Sequence, residues 1–128
     1  MSALSLSLVC LGGALGALCR YWISRGAALL RPEMKFPGPT LFVNLTGSAL
    51  LGGLLAATSA DLTAPIEAPL LVFAGVGFCG AYTTFSSFCT ETVALMRTSK
   101  RHAIIYVVAT VAGAIAAFSA IFTLITFN

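Results

Sequence analysis

Four apolar runs, each about as long as a bilayer crossing, constrain this 128-residue chain more than anything else in it. They cover roughly Ala3–Ser24, Thr40–Ser59, Ala68–Met96 and Ala103–Phe127, and a helical span needs about 20 apolar residues. Charged residues make up 9% of the chain, against roughly 25% in a soluble domain. Such a sequence calls for membrane-spanning helices that satisfy their backbone polar groups internally. The expectation is an all-α integral membrane protein, with four transmembrane helices in one domain over residues 1–128. The first run has no basic residue before it and reaches full span length, so it reads as a span and not as a signal peptide.

The third run is longer than one crossing requires, and its middle reads Gly77-Phe78-Cys79-Gly80-Ala81-Tyr82-Thr83-Thr84-Phe85-Ser86-Ser87-Phe88. Glycine weakens a helix and β-branched threonine crowds it. A break is therefore expected here. Lipid tolerates irregular backbone only where protein or a water-filled path surrounds it, and broken helices near the midplane are where transport proteins coordinate ions. The literal G-x-G-x-x-G of Gly75–Gly80 is a false signal, because the dinucleotide motif needs a soluble strand-turn-helix unit.

Charge placement predicts topology. All seven Lys and Arg residues follow span one or span three: Arg20, Arg25, Arg31 and Lys35, then Arg97, Lys100 and Arg101. The loop between spans two and three carries only Asp61 and Glu67. The positive-inside rule puts both basic loops in the cytoplasm and both termini outside. Four helices with so few polar atoms do not readily enclose a pathway, so a transport role implies an oligomer. Gly12-Gly16 and Gly13-Ala17 offer small-residue helix contacts.

Polar residues within the spans are the candidate functional groups. Arg20 lies on one helix face with Gly12 and Gly16; it either snorkels to the headgroups or marks a vestibule for an anion. Asn44, Ser48 and Gly52 form a small, polar stripe, read either as a functional face or as interhelical hydrogen bonding. Phe85, Phe88 and Glu91 share a face, set among Thr84, Ser86 and Ser87. The positive edge of a phenyl ring can stabilise a small anion that has shed water. Glu91 reads otherwise as a helix-end carboxylate in headgroup water or paired with a base. Tyr106, Thr110 and Gly113 share a face of span four, which reads first as a Tyr at the interface belt with ordinary small-residue packing. Cys10, Cys19, Cys79 and Cys89 match no zinc or redox spacing and read as small buried hydrophobes. His102 stands alone beside Arg101 as a loop residue. No catalytic triad, Walker loop or nucleic-acid patch is visible.

These residues resemble a known family, the small bacterial fluoride channels called Fluc or CrcB. The likeness rests on Gly12-Gly13-Ala14-Leu15-Gly16-Ala17 with Arg20-Tyr21, on Gly38-Pro39-Thr40-Leu41-Phe42-Val43-Asn44, and on Gly77–Gly80 through Thr83–Phe88. It covers almost the whole chain. It implies a passive fluoride channel of the bacterial cytoplasmic membrane, not an enzyme, working as an antiparallel, dual-topology dimer with two pores. By that likeness Phe85 and Phe88 line the pore with Asn44, and Thr84, Ser86 and Ser87 supply hydroxyls. Tyr106 and Thr110 match a polar track along the fourth helix. Gly80 and Thr83 match positions whose backbone carbonyls hold a structural sodium ion. The partner is an identical subunit, or a paired homologous subunit of opposite charge bias, since a Lys/Arg distribution this one-sided disfavours insertion both ways. The competing reading is a small four-helix proton-coupled multidrug exporter, but span one has no carboxylate to carry the proton. A passive assembly subunit would have no use for the hydroxyl-rich break.

Overall fold

A computed structural model describes residues 2–30, 36–59 and 68–127. Within them, helix α1 runs over Ala3–Leu30, α2 over Gly38–Ser59, a π-helical segment over Leu71–Cys79, the single turn α3 over Gly80–Tyr82, α4 over Phe85–Thr98 and α5 over Lys100–Thr126. Among the described residues, four helical stretches are long and apolar enough to cross a membrane, the third being Leu71–Thr98 with its interruption. Arg31, Lys35, Asp61 and Glu67, on which part of the topology argument rests, lie outside the described residues.

Helix α1 continues past Ser24, where the apolar run ends, to Leu30. Ala27-Ala28-Leu29-Leu30 are strong helix formers, and the first firm stop in the sequence is Pro32. Arg20 and Arg25 thus sit within the helix, not in a loop. Ser99 separates α4 from α5 and caps the latter, its hydroxyl accepting from the His102 backbone N–H. His102 therefore belongs to the first turn of α5, and its Nδ1 lies 2.9 Å from the same hydroxyl.

Two packing seams build the bundle. Helix α1 lies along the π-helical segment and α3, while α2 lies along α5 and α4 meets α5. The first seam depends on glycine. A methyl group on Gly77 would stand 2.9 Å from the Val9 carbonyl oxygen and 3.1 Å from the Gly12 Cα. One on Gly12 or Gly16 would collide with the carbonyl oxygen of Phe73 or Phe78. The backbones touch directly, as small-residue interfaces in lipid allow. Cys79 is buried, as expected of a small hydrophobe, but Cys10 and Cys19 lie exposed on α1. On a bundle with so small a core, a thiol can face lipid as readily as protein.

The third span breaks as expected, but not at its glycines. Gly77 is π-helical, and Gly80 keeps helical angles (φ −61°, ψ −34°). The chain leaves the helix at Thr83 (φ −78°, ψ 159°) and Thr84 (φ −149°, ψ 123°). Both are β-branched and suited to extended backbone. No described residue has a positive φ, so the break needs no glycine conformation.

Candidate functional site

The broken backbone is stitched by one side chain. The Asn44 amide on α2 donates to the Thr84 carbonyl oxygen at 3.1 Å. Its Oδ1 accepts from the Thr84 N–H at 2.8 Å. Asn44 thereby does for Thr84 what a neighbouring helical turn would do, and it removes the cost of orphaned backbone groups in lipid. Gly47, one turn further along α2, leaves room for Thr83 and Tyr82. The Tyr82 hydroxyl lies 2.9 Å from Thr46 Oγ1. The Thr84 N–H, given to Asn44, is the one that would have closed a helical turn onto the Gly80 carbonyl.

Thr84 also starts α4. Its hydroxyl oxygen accepts from the Ser87 N–H at 3.2 Å, an N-cap bond, and its proton goes to Ser87 Oγ at 3.2 Å. The Ser86 hydroxyl lies 3.3 Å from it. With its oxygen accepting from Thr84, the Ser87 hydroxyl keeps its own proton to donate. These hydroxyls stand at the positive end of the α4 dipole.

A cavity of about 370 Å³ opens on this break, lined by Asn44, Ser48, Thr83, Thr84, Phe85 and Thr110, among others. Phe85 is 77% exposed. Phe88 is half-buried behind it, at a ring-centroid distance of 5.7 Å. The Thr110 hydroxyl is buried and makes no hydrogen bond among the described residues. Gly80 also lines the cavity, with no atom within 4 Å of where a side chain would begin.

Beneath Phe88 the aromatic series continues to Tyr106 at 5.5 Å and from there to Phe36 at 5.6 Å. Tyr106 is 0% exposed, and its hydroxyl donates to Glu91 Oε2 at 2.7 Å. Thr40 donates to Glu91 Oε1 at 2.8 Å. The carboxylate is neither a free helix end nor paired with a base; two hydroxyls from α2 and α5 hold it. Thr40 is the residue the sequence reading missed. The available signal was its place one helical turn before Asn44, on the same face of α2.

Most of the residues singled out from the sequence thus gather on one wall. Asn44, Gly80, Thr83, Thr84, Phe85, Phe88 and Thr110 line the cavity, with Ser86 and Ser87 joined to it through Thr84 and Tyr106 through Phe88. Arg20 is the outlier. It is half-buried on α1, whose packing partners are α2, the π-helical segment and α3, and it is not among the cavity's lining residues. No group of three or more His, Cys, Asp or Glu side chains able to hold a metal occurs among the described residues.

Comparison with known proteins shows the family. The family model described as "CrcB-like protein, Camphor Resistance (CrcB)" matches residues 7–122. A protein of Gloeobacter violaceus named "Fluoride-specific ion channel FluC" is 46% identical over 90 residues, 70% of either chain. Proteins of the same name from Methanopyrus kandleri and Anaeromyxobacter sp. (strain K) are 42% and 44% identical. They cover 91% and 90% of this chain, and 86% and 90% of their own length. The family match encloses the glycine seam, the Asn44 stitch and the whole broken third span, and on that basis the chain belongs to the CrcB-like family.

Proposed function

We propose that this chain is the subunit of a passive, selective fluoride channel that lets fluoride leave the cell down its electrochemical gradient. It is a multi-pass protein of the bacterial cytoplasmic membrane, a transporter and not an enzyme. The observation that carries the reading is the site at the break: donor hydroxyls and two phenyl rings on one cavity wall, around backbone held open by Asn44. Fluoride is small and strongly hydrated, so a selective path must replace its water with donors. Ser87 and Thr110 have hydroxyl protons to offer. The edges of Phe85 and Phe88 present positive charge without the competing acceptors that water would bring. The positive end of α4 favours an anion at the same place.

The cavity wall is open on one side, and the functional unit is an antiparallel dimer in which a second subunit completes two symmetric pores. Gly80 and Thr83 fit a cation site built from backbone carbonyls. Asn44 diverts the N–H that would have closed on the Gly80 carbonyl, and the space beside Gly80 is open. A sodium ion there is structural, and it adds a favourable field for an anion.

A proton-coupled exporter is not supported. Glu91 is the only acidic side chain among the described residues, and both its oxygens are taken up by Thr40 and Tyr106. The test is ion efflux from liposomes containing only the purified chain, with valinomycin supplying counter-charge. Fluoride release without chloride release is expected. A folded protein that releases neither ion, alone or co-reconstituted with a homologue of opposite Lys/Arg bias, would refute the reading.

A further inference from the structure

The C-terminal third of α1 carries aromatic and cationic side chains that the channel reading does not use. Helix α1 has 28 residues, about 42 Å at 1.5 Å per residue, against a hydrocarbon core of about 30 Å. Counted from Ala3, the core is crossed near Trp22. Tyr21 and Trp22 are 53% and 65% exposed, and their rings pack edge to face at 5.4 Å. At 3.6 residues per turn, Arg25 projects between them, roughly 40° from Tyr21 and 60° from Trp22, one turn further along. The Arg25 side chain is exposed and makes no hydrogen bond or ion pair among the described residues. Leu18 and Leu29, before and after this group, are exposed as well. Tyr21, Trp22 and Arg25 therefore share one exposed face of α1, near the end of the stretch long enough to cross the hydrocarbon core.

We infer that Tyr21, Trp22 and Arg25 form a binding site for the headgroup of an anionic phospholipid. Charge complementarity selects the occupant. A guanidinium with no partner among the described residues meets phosphate at this depth, which its planar fork matches bidentately, and indole and phenol rings favour the same layer. A lipid with net negative charge keeps that attraction, whereas the choline of a zwitterionic lipid offsets it. The preference expected from one such cation is roughly fivefold.

Trp22 is the only tryptophan in the chain, so its fluorescence reports this site alone. The full chain is reconstituted in vesicles of fixed phosphatidylcholine and phosphatidylglycerol content, with bromine carried on the acyl chains of one lipid or the other. Brominated phosphatidylglycerol should quench Trp22 several-fold more per mole than brominated phosphatidylcholine. Arg25→Gln should abolish the difference, Arg25→Lys should keep most of it, and Arg97→Gln, at the other basic cluster, should leave it intact. Equal quenching by the two lipids in the unmodified protein would overturn the inference. So would a preference that survives Arg25→Gln, or the absence of quenching by either lipid, which would mean that protein covers this face.

Discussion

The two halves of the third span are separated by only two extended residues, yet they are built on different principles. The first half, Leu71–Tyr82, is almost wholly apolar and holds its place by backbone contact, with Gly12, Gly16 and Gly77 removing the side chains that would keep α1 away. The second half, Phe85–Thr98, holds its place by side-chain chemistry. Thr84 caps it, Asn44 ties its start to α2, and Glu91 ties its middle to α2 and α5. In the first half a substitution should act through fit; in the second it should act through polar satisfaction or through the ion path.

The largest effect expected is at the glycine seam. Gly16→Val places a branched side chain against the backbone of Phe78 and Tyr82, where no flexible side chain can yield. Loss of folded protein on size-exclusion chromatography is the expected outcome, since overpacking alone costs about 1–3 kcal/mol and more where backbone must move. A monodisperse Gly16→Val protein would show that the seam is looser than the geometry says.

Asn44→Ala should follow. It leaves the Thr84 N–H and carbonyl without their partner, at about 1–3 kcal/mol for each group. Thermal unfolding in detergent should drop accordingly, and fluoride flux should fall with it. Asn44→Asp keeps the acceptor for the Thr84 N–H but loses the donor to its carbonyl, so it should not restore stability. Tyr106→Phe keeps the buried ring and removes one of the two hydroxyls on Glu91. A loss of about 1–3 kcal/mol is expected, and Thr40→Val in the same background should cost more than the two single changes suggest if the three groups act as a unit. Least of all, Gly13→Ala should be tolerated. Its methyl group would sit 3.8 Å from the Gly77 carbonyl oxygen and 3.9 Å from the Ala81 Cβ. Stability should hold or rise by about 0.5–1 kcal/mol, which would separate the seam glycines that must stay from the one that need not.

The sequence displayed the second half better than the first. Hydroxyls and rings in an apolar run are conspicuous because lipid leaves them few roles, so Thr84, Ser86, Ser87, Phe85 and Phe88 stood out. The π-helical geometry of Leu71–Cys79 left no mark, because a run that is apolar on every face has no periodicity to betray its pitch. The break was legible within Gly77–Phe88, and the structure puts it at Thr83 and Thr84, where two adjacent threonines with a side-chain amide to satisfy them are enough. Glu91's partners were hidden for another reason. Thr40 and Tyr106 are remote in sequence, and only the packing of α2 and α5 on α4 brings them to the two oxygens. Helix α1 outruns the apolar run that marks its span because the arginines at the membrane boundary interrupt nothing in the backbone.

The central claim is that the second half carries the ion and the first half carries the fold, and Phe85 tests it most directly. Its ring is 77% exposed in the subunit, so little of the subunit's own packing depends on it. Fluoride efflux from liposomes should be compared between the unmodified chain and Phe85→Ile, with assembly and thermal stability measured on the same preparations. The account predicts at least a tenfold loss of fluoride flux with oligomeric state and melting behaviour unchanged. Unchanged flux in a folded, assembled Phe85→Ile protein would contradict it.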